Sequence, residues 1–316
     1  MNSRIFYSIV DLALVPIVFF AALVLRVARR VGIGRLDLVR QVFRAVGVYP
    51  VVDHYYEPLF NPKHLRTPLS MDRSLPGIDW NTHEQLEILS SFKFSKELGS
   101  IPMDYVDDST YHYHNGNFES GDAEYWYNLI RLKKPRRIIE IGSGHSTKMA
   151  RLAITNNKKE DPAYVCEQLC IEPYQMPWLE QLGVTVIRKR VEEVPLDFFE
   201  ILDADDILFI DSSHIIRPQG DVLYEYLEIL PTLKSGVIVH IHDIFSPRDY
   251  LPSWIIDEVR FWNEQYLLEA FLTGNGEWRI IGALNFLKHQ HYEEFKEKCA
   301  ALTKDREPGS FYIQRS

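Results

Sequence analysis

The chain has 316 residues, of which 46% are hydrophobic and 13% aromatic, a composition that excludes disorder over most of its length. Its formal charge of −9 is unevenly spread, because the first 50 residues carry +5 and the remaining 266 carry −14. The acidic body excludes a nucleic-acid-binding protein, which would need a basic face over much of the chain. Three cysteines are too few for a disulfide scaffold and indicate a reducing compartment.

The first element of the chain is an apolar run over residues 5–25. As a helix rising about 1.5 Å per residue, such a run crosses the roughly 30 Å hydrocarbon layer of a bilayer. Asp11 is costly at that depth and Pro16 favours a kink, so the run predicts either a spanning anchor or a helix that enters and returns on one side. A buried core helix is the alternative. A cleaved signal peptide is disfavoured, because the positive charges follow the run.

An arginine-rich stretch follows, with Arg26, Arg29, Arg30, Arg35, Arg40 and Arg44. Clustered arginine beside an apolar segment stays on the cytoplasmic side of a membrane, so we expect the rest of the chain to be cytoplasmic. Residues 36–46 place four apolar side chains on one helical face, which predicts an interfacial helix on anionic lipid or an amphipathic helix packed on the body. Residues 1–46 are therefore predicted to attach the protein to a membrane.

Residues 47–115 form a connecting region rich in proline and aromatic side chains. Prolines break helical periodicity, and so many aromatic residues are untypical of a flexible linker, so we expect an ordered, mostly irregular segment packed on the body. A short helix is predicted over 81–92, with Asn81 or Thr82 as its cap. The region either roofs a site or covers the core.

From residue 116 to 316, apolar strands alternate with helical stretches. Strands are predicted at 137–141, 166–171, 184–188, 206–211, 235–242, 278–284 and 310–314. Helices are predicted at 122–134, from about 146, and at 176–182, 196–202, 218–230, 253–270 and 289–303. The alternation predicts an α/β fold, a Rossmann-like, mostly parallel seven-stranded sheet with helices on both faces. Ligands of such sheets bind beyond the carboxyl ends of the strands.

A glycine-rich turn follows the first predicted strand and reads Glu140-Ile-Gly142-Ser-Gly144-His-Ser146-Thr147. Gly142 and Gly144 allow a tight turn and the close approach of a ligand. Ser146 or Thr147 is predicted to cap the next helix, whose N-terminal amides face the same spot. A dinucleotide-binding fingerprint would need a third glycine where Thr147 stands.

An acidic residue, Glu172, ends the second predicted strand in the sequence I-E-P-Y. A carboxylate here can accept hydrogen bonds from both hydroxyls of a ribose, or it is a solvated acid of the turn. The two strand ends resemble the first and second motifs of the class I S-adenosylmethionine-dependent methyltransferases. The resemblance covers about residues 115–316 and looks closest to the macrocin-type sugar O-methyltransferases and to bacterial relatives tied to cell-surface glycans.

The resemblance implies a site for S-adenosylmethionine along the glycine-rich turn. By it, Glu140 orients the methionine end of the cofactor and Glu172 binds the ribose. Glu192, just past the third strand, is a candidate for the adenine edge. The cofactor-binding residues predicted in this way are Glu140, Gly142, Gly144, Ser146, Glu172 and Glu192.

Ionisable residues end the next two strands, with Asp211 and His214 after the fourth and His242 and Asp243 after the fifth. Because neighbouring strands lie about 5 Å apart, we expect these four to converge as catalytic residues. In one mechanism, Asp211 and Asp243 hold a divalent cation such as Mg²⁺, as in the magnesium-dependent methyltransferases that this site resembles. Ile244 stands where those enzymes have Asn or Asp, so a histidine would complete the shell, which suits Zn²⁺, Fe²⁺ or Mn²⁺ better.

In a second mechanism, His214 or His242 is a general base whose ring is oriented by Asp211 or Asp243. The loop over 245–254 mixes aromatic residues with Arg248, and it is either an acceptor-binding loop for sugars or anionic carriers or a surface turn.

The sequence thus predicts three parts: a membrane anchor over 1–46, a connecting region over 47–115 and a methyltransferase domain over 116–316. The function predicted is a membrane-attached, S-adenosylmethionine-dependent methyltransferase with a cytoplasmic catalytic domain. We expect it to methylate an oxygen of a small-molecule or lipid-linked glycan acceptor. The alternatives are a nucleotide-sugar or NAD-dependent enzyme, disfavoured by the missing third glycine, and a non-catalytic membrane protein that binds the cofactor.

Overall fold

A computed structural model describes residues 3–316 and divides the chain into two compact units, one ending at Arg66 and the other spanning Thr67–Ser316. This boundary falls inside the connecting region predicted over 47–115. That region therefore contributes to both units.

The first unit contains two helices joined by a 3-10 turn, Ile33–Arg35. Helix α1 (Ser3–Val31) is long and apolar enough to cross a membrane, and its most apolar stretch is exposed. It runs without interruption through Pro16. Helix α2 (Asp37–Val46) confirms the helix predicted over 36–46.

The second unit is built on one seven-stranded sheet. Its strands are β1 (Arg137–Ile141), β2 (Glu167–Ile171), β3 (Thr185–Ile187), β4 (Ile207–Ile210), β5 (Ile238–Ile241), β6 (Trp278–Ala283) and β7 (Phe311–Arg315). They lie in the order β3-β2-β1-β4-β5-β7-β6, and β7 is antiparallel to both of its neighbours. The predicted Rossmann-like, mostly parallel sheet is confirmed. Its strand order changes direction between β1 and β4, which is where such sheets bind their ligands.

Helices connect the strands of this unit. They are α3 (Thr82–Ser91), α4 (Ser95–Leu98), α5 (Asp122–Lys133), α6 (His145–Glu160), α7 (Asp221–Tyr224), α8 (Leu230–Thr232), α9 (Glu264–Leu272), α10 (Leu284–Gln290) and α11 (Tyr292–Lys298). A π-helical turn, Glu225–Ile229, joins α7 to α8 in one segment. Helices α3 and α5 confirm the helices predicted over 81–92 and 122–134.

Four helices predicted from periodicity are wrong in extent. Two of these stretches are only seven residues long, a length at which a helix is marginal by itself, and Gly183, with a φ of +71°, also ends the first of them. In a third stretch, the N–H groups of Asn263 and Glu264 donate to the carbonyl of His214. They are therefore not available to carbonyl groups of a preceding helical turn. The stretches are 176–182 and 196–202, which hold only short 3-10 turns, 253–270, which divides into a π-helical turn and α9, and 289–303, where α10 and α11 meet.

Two hydrophobic cores cover the two faces of the sheet. Alternation along β1 sends Ile138 to the core that contains α5 and α6, and Ile139 to the other. Helix α5 is buried around its circumference, with Tyr125, Trp126 and Tyr127 fully inaccessible to solvent. Packing on both faces holds the carboxyl ends of the central strands in fixed positions.

Candidate active site

The turn after β1 joins three strand ends. Gly142 has a φ of +83°, in the left-handed region, and its N–H donates to the carbonyl of Ile171 at the end of β2 (3.0 Å). A Cβ at this position would lie 2.1 Å from the carbonyl oxygen of Asp211, which follows β4. Since no side chain tolerates so close a contact with backbone, the structure requires glycine here.

Helix α6 begins at His145, one residue before its predicted start. The hydroxyl of Thr147 accepts a hydrogen bond from the N–H of Gly144 (3.1 Å) and donates one to the carboxylate of Glu140 (2.7 Å). Ser146 is buried. Of the two predicted capping residues, Thr147 is thus the one that ties the turn to the helix.

Glu140 lies in the wall behind the turn and does not line the cleft that opens in front of it. Besides Thr147, the side-chain amide of Gln168 donates to its carboxylate. Burial raises the pKa of Glu140 to about 7, although these two hydrogen bonds act in the opposite direction. The carboxylate of Glu140 therefore holds the turn through Thr147 and does not face the open cleft.

The raised pKa of Glu140 predicts a pH-dependent contribution to stability. Because its pKa rises from 4.5 to about 7 on folding, the folded state takes up a proton in this range, and the free energy of unfolding falls as the pH rises from 4.5 to 7. Over this pH range, we expect the free energy of unfolding of Glu140→Gln to fall by up to about 3 kcal/mol less than that of the wild-type protein. Urea unfolding at several pH values measures the difference. Equal slopes for Glu140→Gln and for an exposed control, Glu200→Gln, would contradict the prediction.

A cleft of about 300 Å³ opens at the carboxyl ends of β1, β2 and β4. Glu172 lies in its wall, where one carboxylate oxygen accepts from the N–H of Ser143 (3.2 Å) and the other from the N–H of Tyr174 (2.8 Å). Glu192, past β3, also lines the cleft. The predicted residues that meet here are Gly142, Glu172 and Glu192, together with Asp211.

The side chains that follow β4 and β5 form an acid–histidine cluster of Asp211, His214, His242 and Asp243. Nε2 of His214 lies 3.3 Å from Oδ1 of Asp211 and 3.5 Å from Oδ2 of Asp243. Nδ1 of His242 lies 3.6 Å and 3.5 Å from the Oδ1 atoms of the same two carboxylates. The structure brings all four predicted residues together. His240, in contrast, is a core residue that stacks on a tyrosine ring at 4.1 Å.

A buried carboxylate that no motif marks, Glu264 on α9, positions His214. Oε2 of Glu264 lies 2.8 Å from Nδ1 of His214, although the two residues are 50 positions apart in sequence. The backbone of His214 has a φ of +59°, and its carbonyl accepts from the N–H groups of Asn263 (2.9 Å) and Glu264 (3.2 Å). These contacts fix the ring so that its other nitrogen faces the two aspartates.

For three of the four residues of the cluster, the neighbouring charges and hydrogen bonds outweigh the cost of burial. Burial raises the pKa of Asp243, although His242 and His214 act in the opposite direction. Burial would raise the pKa of Asp211, but His242 and His214 hold it well below its ordinary value. Burial would lower the pKa of His242, but Asp243 and Asp211 raise it to about 10. Hydrogen bonds to Asp211 and Glu264 likewise raise the pKa of His214 well above its ordinary value, against the effect of burial. Both imidazoles therefore carry a proton at neutral pH when no cation lies between the carboxylates.

A second cavity, of about 280 Å³, adjoins the cluster through His242 and Asp243. The loop predicted to bind an acceptor lines this cavity with Phe245, Leu251 and Trp254. Arg248 of the same loop does not, because its guanidinium donates to a carboxylate of Asp72 (2.8 Å) and contacts a histidine (2.7 Å).

Residues 139–244, which extend from β1 past the cluster, match a family model described as "Methyltransferase domain". A relative from Archaeoglobus fulgidus, described as an uncharacterized protein, is 32% identical over 180 residues, which cover 52% of this chain and 79% of that protein. The chain belongs to the class I S-adenosylmethionine-dependent methyltransferases.

Two solved structures resemble this methyltransferase at low similarity. An O-methyltransferase from Bacillus cereus in complex with SAH is 11% identical, with a TM-score of 0.35, over 75% of this chain and 98% of that one. The plantazolicin methyltransferase BpumL in complex with SAH is 10% identical, with a TM-score of 0.33, over 74% of this chain and 95% of that one. The family assignment rests on the sequence match and on the strand order of this methyltransferase.

Proposed function

We propose that this protein is a membrane-attached O-methyltransferase that transfers a methyl group from S-adenosylmethionine to a hydroxyl of a sugar or lipid-linked glycan precursor. One observation carries the proposal. Asp211 lines the cleft, Asp243 lines the second cavity, and His214 contacts both carboxylates. A donor in the cleft and an acceptor in the cavity would meet at the acid–histidine cluster, which supplies the alignment that transfer requires.

The cleft fits the cofactor in two respects. Each oxygen of Glu172 accepts one backbone N–H and keeps a further lone pair for a ribose hydroxyl. A Cβ built on Gly144 would meet no atom within 4 Å, so there is open space beside the backbone of the turn. In this proposal the ribose binds Glu172, the methionine end lies along Gly142 and Gly144, and Glu192 faces the adenine.

Glu172→Gln is expected to weaken the binding of S-adenosylhomocysteine by about 10- to 100-fold, because a hydrogen bond to a charged group contributes about 1.5–3 kcal/mol. Glu167→Gln, an exposed change at the start of the same strand, is the matched control and should bind as wild type does. Isothermal titration measures both affinities without knowledge of the acceptor. Unchanged affinity in Glu172→Gln would contradict a role in ribose binding.

The acid–histidine cluster fits a divalent cation. Asp211, His214 and Asp243 each offer one ligand atom, and these atoms all lie within 4.8 Å of one another. The hydrogen bond from Glu264 to the other nitrogen of His214 is the kind of support that metal-ligating histidines have. A nitrogen ligand favours Mn²⁺, Fe²⁺ or Zn²⁺ over Mg²⁺. We propose that these three residues hold such a cation, which would lower the pKa of the acceptor hydroxyl.

The raised pKa values of His214 and His242 bear on the choice between the two mechanisms. A general base needs a free lone pair, and without a cation in the cluster the raised pKa of each ring disfavours one. When bound, S-adenosylmethionine would supply an electrophilic methyl group, and transfer would form a bond from the acceptor oxygen to this carbon as its bond to sulfur breaks and leaves the electrons on sulfur. The hydroxyl proton leaves to a carboxylate of the cluster or to solvent.

Radiolabelled methyl transfer into a membrane extract tests the proposed function. We expect label in a sugar-containing product, loss of activity with EDTA and its recovery with Mn²⁺. Activity that survives EDTA but is lost in His214→Ala or His242→Ala would assign the step to a histidine base instead. Failure to label any acceptor, with cofactor binding intact, would favour a non-catalytic role.

Exposed apolar surface supports membrane attachment. On α1 the side chain of Leu12 is 77% exposed, and along α2 the side chains of Leu38, Val42 and Val46 are exposed at every fourth position. Phe43, which lies beside this row of side chains, is buried. Apolar surface of this extent is typical of a site that contacts a membrane. The arginines after α1 favour a cytoplasmic position for the catalytic domain.

The full-length protein is expected to sediment with membranes and to remain there through washes with high salt and alkaline carbonate. A spanning helix of apolar residues is held by the hydrophobic effect, which salt does not weaken. A variant that lacks residues 1–31 should be released from the membrane pellet. Release of the full-length protein by salt alone would indicate surface attachment through arginine, and solubility without detergent at low salt would contradict any anchor.

A further inference from the structure

A third cavity, of about 490 Å³, lies in the first unit at the carboxyl end of α1. One wall is formed by Arg26, Arg29 and Arg30, which share a face of the helix because they are three and four positions apart. The opposite wall comes from residues 52–57. This arginine cavity therefore lies between the last turns of α1 and a segment that packs on them.

The lining of the arginine cavity keeps a net positive charge. Arg29 forms an ion pair with Glu57. Among the residues that the structure describes, Arg26 and Arg30 have no ion-pair partner, and Asp53, the other carboxylate of the lining, pairs with neither of them. Three arginines thus stand against two carboxylates. Two guanidinium groups are left to bind an anion.

The apolar length of α1 places the arginine cavity at the surface of a bilayer. Residues 5–25 are about 31 Å long as a helix, which matches the roughly 30 Å hydrocarbon layer. Arg26 follows directly, and Arg30 lies only about 6 Å further along the helix axis. Because the headgroup layer is about 5–8 Å thick on each side, a spanning α1 puts these arginines at the depth of the lipid phosphates.

Two exposed tyrosines indicate the same depth independently of the length of α1. Tyr55 and Tyr56 lie in the segment that forms the opposite wall, and their side chains are 92% and 85% exposed. Tyrosine is typical of the boundary between membrane and water, because its ring is apolar and its hydroxyl is polar. Both walls of the arginine cavity therefore suit the headgroup layer.

We infer that the arginine cavity binds the phosphate of a membrane lipid and prefers a phosphate monoester. The inference rests on the proposed membrane attachment and deepens it by naming the lipid class. A monoester carries about two negative charges near neutral pH, which the free guanidinium groups of Arg26 and Arg30 match with paired N–H donors. Phe19 and Leu23 precede Arg26 on the same face of α1 and are exposed, so they offer an apolar path for the lipid chains.

Three lipids with the same chains test the inference on the full-length protein in detergent. Dioleoyl phosphatidic acid is a phosphate monoester, dioleoyl phosphatidylglycerol is a singly charged diester, and dioleoyl phosphatidylcholine has no net charge. Native mass spectrometry counts the bound lipids and gives their affinities. We expect one phosphatidic acid per chain, bound at least about tenfold more tightly than either of the others. Inorganic phosphate at the same concentration should not displace it, because it lacks the apolar chains.

Three variants sharpen the test. The double variant Arg26→Gln, Arg30→Gln should weaken the binding of phosphatidic acid at least about tenfold. Glu57→Gln removes the carboxylate that occupies the third arginine and should tighten binding several-fold, a gain that a folding defect would not produce. The double variant Arg35→Gln, Arg66→Gln makes the same charge change at exposed positions of the same unit outside the cavity, and it should bind as wild type does.

Several results would overturn the inference. They are equal affinities for the three lipids, displacement by inorganic phosphate, unchanged binding without the two free arginines, and an equal loss in the control variant. The last result would show that the total charge of the unit produces the preference. The carbonate wash separates the two proposals. If the full-length protein leaves the membrane, the proposed attachment fails, and if it stays but shows no preference for phosphatidic acid, only the lipid site fails.

Discussion

An Asp211→Asn variant is expected to transfer methyl groups about 100- to 10,000-fold more slowly than the wild-type protein. The amide keeps the size of the side chain but removes the charge that lies 3.3 Å from Nε2 of His214. It also removes an anionic ligand that a divalent cation would need. Initial rates of radiolabel transfer into membrane extract measure the loss.

Two comparisons locate this effect in the chemical step. Asp197→Asn, an exposed change on the 3-10 turn Leu196–Phe198, should keep wild-type activity. The affinity of Asp211→Asn for S-adenosylhomocysteine should stay within about tenfold of wild type, since Glu172 and the glycine-rich turn are intact. Turnover close to wild type would remove Asp211 from the mechanism. A variant that no longer binds S-adenosylhomocysteine would show that Asp211 belongs to the cofactor site instead.

A Gly142→Ala variant is expected to lose more than about 4 kcal/mol of its free energy of unfolding, a large fraction of the roughly 5–15 kcal/mol of a typical domain. Its φ of +83° disfavours any side chain, and a Cβ would lie 2.1 Å from the carbonyl oxygen of Asp211. The contact can be relieved only by separating the ends of β1 and β4, where the N–H of Asp211 donates to the carbonyl of Ile141 (2.8 Å). Urea unfolding followed by tryptophan fluorescence measures the change.

Two other glycines separate backbone strain from the steric contact. Gly183 has a φ of +71° but no atom within 4 Å of its Cβ position, so Gly183→Ala should cost about 1 kcal/mol. Gly144 has neither a positive φ nor a close neighbour, and Gly144→Ala should leave the stability nearly unchanged while filling space beside the turn. A cost for Gly142→Ala no larger than that for Gly183→Ala would contradict the steric argument.

Much of the fold can be read from the sequence because the signals are local. The seven strands are short apolar runs bounded by polar or turn residues, and their periodicity with the intervening helices predicts a parallel sheet. The convergence of Asp211, His214, His242 and Asp243 follows from that sheet, since the carboxyl ends of neighbouring parallel strands meet at one edge. The glycine at position 142 is predicted because a tight turn follows the first strand. The contact with the carbonyl oxygen of Asp211, which requires glycine there, is not predicted.

Other features depend on contacts between distant parts of the chain. Helix periodicity over 253–270 gives no sign that Asn263 and Glu264 donate to the carbonyl of His214 and that the regular helix begins only at Glu264. The sequence also gives no sign that the carboxylate of Glu140 is buried behind the glycine-rich turn.

The sequence by itself determined the order of strands and helices along the chain, the apolar N-terminal helix and the chemical groups at the strand ends, because each depends on residues close together in the chain. Only the tertiary structure decided how the groups at the strand ends are positioned relative to one another. The approach of α9 fixes the ring of His214 through Glu264, and the hydrogen bond from Arg248 to Asp72 holds that guanidinium away from the second cavity. Both are set by side chains that meet only after the chain has packed, where burial and neighbouring charges determine which groups remain free.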